Sequence, residues 1–179
     1  RVALKVVSAE HSATDVNASN GCKSCPLLRD SLSGWGRLDV SKAIASLDGV
    51  LPAPDHYEPN DDAGTEAAKL SAAVTSVKAT IDFWDDNIDV YRIYLRKNQK
   101  VRLALDGPAG ATTNLLLWKP GTRRVNDLRT QSLRAAQAIG PGSSHRLGYR
   151  VRKKGWYYVE VKLTTRGYGP YELTITRSR

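Results

Sequence analysis

The chain has 179 residues, 41% hydrophobic and 25% charged, a normal globular balance that suits one ordinary domain plus an appendage. No run approaches the ~20 apolar residues of a membrane-spanning helix, and residues 1–5 lack the apolar core of a secretory signal. The net charge of +9 is split into a net −6 over residues 56–91 and a net +15 over 92–179; no nucleic-acid module motif accompanies the basic part, so a solubilising surface on a secreted protein is expected and nucleic acid is not.

The sequence contains no Met, even at position 1, which fits a piece cut from a longer precursor. Val2, Val6 and Ala9, flanked by Ala3 and Val7, form a helical stripe over residues 1–10, and 15–21 are turn-rich. Cys22-Lys23-Ser24-Cys25 follows. Zinc would want a second pair of ligands, and His11, His56 and His145 are scattered; a thioredoxin-like motif would open a helix in a βαβ unit. A small structural disulfide between Cys22 and Cys25 is the expectation. Gly34-Trp35-Gly36 makes a turn, and Asp39 is placed to cap a helix over 40–47. Pro52 and Pro54 stiffen a linker over residues 49–57.

From residue 58 onward the pattern changes to period two. Lys78 to Phe83 is a predicted strand. Residues 85–105 read as two strands and one turn, a hairpin entered by an acidic loop, with Tyr91, Ile93, Leu95 and then Val101, Leu103, Leu105 on one face and a polar turn at 96–100. Leu115 to Trp118 is a buried strand stopped by Pro120-Gly121. Residues 125–139 are either a helical insertion or a long polar loop. Tyr149 to Arg152 is a strand with a hairpin loop at 153–155, leading to a strand whose core face is Tyr157, Val159, Val161 and Leu163. Tyr171, Leu173 and Ile175 line the last strand. Many short strands with regular turns predict a mainly β fold, an antiparallel, jelly-roll-like β-sandwich preceded by a short helical segment.

Residues 1–48, with Gly34 to Ala43 as the matching core, resemble the end of the catalytic domain of subtilisin-like serine proteases. No Gly-Thr-Ser nucleophile motif and no Asp or His motif of a triad is present, and a serine nucleophile needs both partners in hydrogen-bond reach. Residues 58–179 resemble the bacterial pre-peptidase C-terminal domain: Glu58-Pro59-Asn60-Asp61, Asp89-Val90-Tyr91, Leu115 to Gly121, Lys154 to Val161 and Gly169 to Ile175 occur in the family's order. The resemblance implies a non-catalytic C-terminal region of a secreted protease, with the protease domain as partner in the same precursor. Its sandwich would aid folding or stability, or hold a polymeric protein or polysaccharide substrate. The alternative is a carbohydrate- or matrix-binding module.

Two constellations are candidate sites. Glu58, Asn60, Asp61 and Asp62 come from the entry segment, and Asp85, Asp86 and Asp89 from the loop before the strand that carries Tyr91. Calcium takes six to eight oxygen ligands of this kind. Related collagen-binding modules hold calcium with such residues at the linker, which singles out Glu58, Asn60, Asp61, Asp86 and Asp89. The other reading is a solvated acidic face. Tyr94, Trp156 and Tyr158 fall opposite the core face and are candidates for a ligand platform, or for a cover over the sandwich.

Overall fold

The computed structural model describes residues 53–84, 86–125 and 128–179, with the side chains of 126–130 left aside. The chain divides into two units, Arg1–Leu51 and Pro52–Arg179. The expected helical segment, the protease-like tail and the Cys22–Cys25 pair lie outside the described residues.

The second unit is mainly β. Its strands are β1 (Ala68–Lys69), β2 (Ser76–Asp82), β3 (Ile88–Leu95), β4 (Lys100–Asp106), β5 (Thr113–Trp118), β6 (Arg134–Ile139), β7 (Ser144–Arg150), β8 (Gly155–Leu163) and β9 (Tyr168–Ser178). They form a five-stranded sheet in the order β1-β3-β8-β5-β6 and a four-stranded sheet in the order β2-β9-β4-β7. All pairings are antiparallel except the short parallel one of β1 with β3.

The period-two faces are those the sequence predicts. Tyr91, Ile93 and Leu95 of β3 meet Val101, Leu103 and Leu105 of β4 in one core, with Tyr157, Val159, Val161, Leu163, Leu173 and Ile175. Full burial of each such side chain stabilises by about 1.5–3 kcal/mol. A second, smaller core lies on the outer side of the five-stranded sheet. There Ile88, Val90, Leu116, Trp118 and Tyr158 are covered by Ala63, Ala67 and Val125 from the flanking loops. β5 and the first half of β3 are therefore buried on both faces, which is why Leu115 to Trp118 reads as a continuous apolar run.

Three predicted connections are corrected. β3 and β4 are not a hairpin: they lie in opposite sheets, and residues 96–99 arch between them. Asn98 takes a left-handed φ of 67°, which Asn tolerates, and its N–H donates to Val151 O at 2.8 Å, while Val151 N–H donates to Gln99 O at 2.8 Å. The arch is thus tied to the segment after β7, and Gln99 N–H also donates within it to Arg96 O at 3.2 Å. Likewise the predicted hairpin at 153–155 is a crossover, since β7 pairs with β4 and β8 pairs with β3 and β5. Residues 125–139 are neither a helical insertion nor a polar loop. A short 3-10 helix, Leu128–Leu133, leads into β6, which pairs with β5 as an edge strand. Its Arg-Ala-Ala-Gln-Ala-Ile sequence is held by the backbone ladder, so it needs no alternation of large apolar residues.

The described end of the predicted linker is part of the sandwich. Asp55 accepts Thr80 N–H at 2.9 Å through Oδ2 and Tyr57 N–H at 2.8 Å through Oδ1. The Tyr57 ring stands edge-on to Tyr91 at 5.3 Å.

Candidate metal centre

Where the chain enters the sandwich, three segments converge. The entry segment is pinned to β3 by Val90 N–H donating to Asn60 O at 2.7 Å, and Asn60 N–H donates to Glu58 Oε2 at 3.2 Å. The turn after β2 is closed by Asp82 N–H donating to Asp86 O at 2.9 Å, and Trp84 N–H donates to Asp82 Oδ1 at 2.8 Å. This tight turn delivers Asp86. Asp89 sits one step into β3, on the inward face it shares with Tyr91. One ligand oxygen from each of Glu58, Asp86 and Asp89 lies within 4.8 Å of the others.

The polar groups at this junction are poorly satisfied. Asn60 and Asp89 are fully buried and Asp86 nearly so. Glu58 Oε1, Asp86 Oδ1, Asp89 Oδ1 and both side-chain polar atoms of Asn60 are buried without a hydrogen-bond partner among the described residues. Leaving such groups unmade costs about 1–3 kcal/mol each, and more for charged ones. Burial, then the charges of Asp89 and Glu58, push the Asp86 carboxyl up to about 9. Burial likewise holds Asp89 well above the carboxylate range, against the opposing pull of the Tyr171 hydrogen bond. Glu58 is raised by burial, and Asp61 adds to the repulsion. Three carboxyls whose joint ionisation is opposed by burial and mutual repulsion, beside a buried amide with no hydrogen-bond partner among the described residues, form an all-oxygen donor set suited to a hard divalent cation.

Behind Asp89 stands a buried relay that sequence reasoning misses. The Tyr171 hydroxyl donates to Asp89 Oδ2. Its single proton is then committed, so the Tyr91 hydroxyl, 2.5 Å away, donates to Tyr171. Burial raises both phenols, keeping them protonated. The relay occupies one oxygen of Asp89 and leaves Oδ1 facing no donor. The shared parity of Asp89 and Tyr91 was visible in the sequence; Tyr171 arrives only through the pairing of β9 beside β2.

Of the remaining acidic candidates, Asp61 is exposed and adds charge from the rim. Asp62 is a loop clamp, its Oδ1 accepting Ala63 N–H at 2.7 Å and Val125 N–H at 2.6 Å. Asp85 lies outside the described residues. In the aromatic set, Tyr94 and Trp156 are exposed neighbours, 5.5 Å apart and edge-to-face. Tyr158 does not join them. It is 9% exposed and packs in the small outer core, because the entry loop and Val125 roof that part of the sheet.

No family model matches the chain, and no curated protein matches its sequence. Several solved structures align with part of it. The pre-peptidase C-terminal domain of a collagenase from Bacillus anthracis aligns at 22% identity over 57% of this chain and 88% of that one, with a TM-score of 0.45. The periplasmic inhibitor of g-type lysozyme from Aeromonas hydrophila aligns at 13% identity over 61% and 91%, with a TM-score of 0.45. A surface-associated copper-binding protein of Methylomicrobium album BG8 aligns at 10% identity over 62% and 96%, with a TM-score of 0.44. Among the described residues no helix is long and apolar enough to cross a membrane.

Proposed function

We propose that the chain is a non-catalytic C-terminal region of a secreted subtilisin-like serine endopeptidase, and that calcium at Glu58, Asn60, Asp86 and Asp89 fastens its sandwich where the chain enters. The observation that carries the metal reading is the convergence of Glu58, Asp86 and Asp89 beside a buried Asn60 whose side chain has no hydrogen-bond partner among the described residues. Calcium would supply the positive charge that lets these carboxyls ionise together. Glu58 and Asn60 belong to the entry segment, Asp86 to the turn after β2 and Asp89 to β3, so one ion would join three stretches of chain. Such a fastening suits a module that supports the folding or stability of an attached protease, or holds its polymeric substrate. The parent class rests on the resemblance of residues 1–48 and 58–179 described above.

Melting the full chain in millimolar calcium and in chelator tests the metal reading. Binding to the native state alone stabilises by about 2.7 kcal/mol at a hundredfold excess over the dissociation constant. Melting that is indifferent to both conditions refutes it. The parent is tested separately by reading the coding sequence upstream of Arg1, where a Gly-Thr-Ser motif within a few dozen codons is expected. The chain itself should not hydrolyse casein; turnover that survives repurification and is blocked by a serine-directed inhibitor would contradict a non-catalytic role.

A further inference from the structure

The metal centre lies near the start of β3. At the other end of that strand, about 20 Å along it, a cavity of about 630 Å³ opens beside Tyr94 and the 96–99 arch. Its wall carries Arg96, Lys97, Arg150, Arg177 and Arg179, brought together by the arch and the ends of β7 and β9. Among the described residues the wall holds no Asp or Glu side chain, and none of these five side-chain cations is in an ion pair. Arg177 is half-buried. Its Nη1 donates to Val74 O at 2.8 Å and Ala72 O at 3.3 Å, and its Nε is buried with no partner among the described residues. Burial pushes its guanidinium below the usual value. A cation fixed in place without a counter-charge is one that an incoming anion would relieve.

The positive surface continues out of the cavity. On the outer face of the four-stranded sheet, Lys100 of β4 stands opposite Arg150 of β7, and Arg102 and Arg146 follow on the same face. Like charges directly opposite across a ladder are destabilising. Charge on an edge strand guards against sheet-to-sheet association, and β7 is an edge. β4 and β9 are inner strands, however, so edge protection does not account for Lys100, Arg102 or Arg177.

We propose that this cavity and the strip leading from it bind an acidic polysaccharide, one bearing sulfate or uronic carboxylate groups. The cationic donors demand a ligand rich in acceptors. The Gln99 Oε1 accepts Arg96 N–H at 2.9 Å, which commits the oxygen and leaves the amide NH₂ as a further donor suited to hydroxyls. Tyr94, 45% exposed and braced edge-on by Trp156, gives the apolar face of one sugar ring a wall. The cavity has the size of a small-ligand site, enough for one unit of a chain, and the cationic strip extends the contact along a polymer. Single-stranded nucleic acid fits less well, because it stacks successive bases on successive rings. Here the Trp156 ring is flanked by Lys69 Nζ at 5.4 Å and Arg92 at 5.8 Å, which leaves Tyr94 as the free ring.

The test uses the full chain at an ionic strength of about 0.15 M. Heparin and a polyuronate are the probes, with neutral dextran and poly-dT as comparisons. Calorimetry should show binding to at least one acidic polysaccharide and none to dextran. The variant Arg96→Gln/Lys97→Gln/Arg150→Gln should lose at least about tenfold in affinity, through lost charge-assisted contacts. A control with equal charge removed elsewhere, Lys78→Gln/Arg123→Gln/Arg166→Gln, should lose less than about threefold. Tyr94→Ala, an exposed position, should weaken binding about tenfold while leaving the melting temperature unchanged. The proposal is overturned by no binding to either acidic polysaccharide, by equal losses in the two triple variants, or by poly-dT binding more tightly than both.

Discussion

The metal centre makes calcium binding and pH inseparable. Without an ion, Asp86 has a folded pKa of about 9 against an ordinary value of 3.8. A folded value above the unfolded one means that the native state holds the proton more tightly. Its stabilising effect is complete below about pH 4 and is lost as pH rises toward 9. Between pH 5 and pH 7 that loss amounts to about 3 kcal/mol from Asp86 alone, at ~1.4 kcal/mol per unit. For a domain of this size the melting temperature in chelator should fall by roughly 10 °C over that interval. Asp89 and Glu58 shift in the same direction and would add to the fall. Calcium must displace these protons, so its apparent affinity should rise about tenfold per pH unit for each proton released. Calorimetric titration at pH 7 in two buffers of different ionisation enthalpy counts those protons directly; at least one per ion is expected. Calcium that binds with no proton release and no change in affinity between pH 6 and pH 8 would refute the reasoning. So would a chelated protein that grows more stable from pH 5 to pH 7.

Asp89→Ala should abolish the difference between melting in calcium and in chelator, since it removes the carboxylate that faces both the ion and the tyrosine relay. Tyr171→Phe removes the hydroxyl donated to Asp89 and strands the Tyr91 hydroxyl; calorimetry should find calcium affinity reduced at least about tenfold, with a loss of about 1–3 kcal/mol in chelator. Trp118→Phe removes the 2.7 Å donor to the buried Glu160 carboxylate. Burial already raises Glu160 and the indole opposes it, so the variant's loss, about 1–3 kcal/mol or more, should be larger at pH 8 than at pH 5. Adding Glu160→Gln should remove that pH dependence. Limited digestion should leave a stable fragment that retains Asp55 and Tyr57, because both are fastened to the sandwich; a fragment starting after residue 57 contradicts this.

The faces of the strands were legible in the sequence because burial imposes period two whatever the topology. Tyr91, Ile93 and Leu95 point inward whether β3 turns back on itself or arches to the opposite sheet. The partner of each strand was not legible for the same reason: alternation reports which side is buried, not what lies across it. The arch at 96–99 uses ordinary turn residues, and two of its hydrogen bonds join residue 151, more than fifty positions away. β6 escaped notice because Arg-Ala-Ala-Gln-Ala-Ile has the composition of a helix and borrows its conformation from β5.

The site divides along the same line. Carboxylates crowded at residues 58–62 and 85–89 stand out in a chain that is otherwise basic after residue 91, so the acidic ligands could be named from local sequence. What could not be read was which of them converge. Asp62, Asp61 and Asp86 look alike in sequence, yet one clamps a loop, one stays at the rim and one is driven into the junction by the closing of the turn at 82. The same limit separates Tyr158 from Tyr94 and Trp156. All three share a face of the sheet by parity, and only the position of the loop carrying Ala63 and Ala67 decides which is roofed. Local pattern therefore assigns chemistry to a face, and long-range packing chooses the members. Tyr171 is the extreme case: 82 residues from Asp89, it reads in sequence only as one of the residues lining the last strand. It completes the site because β9 lies beside β2 and points its hydroxyl at the one carboxylate that β3 buries.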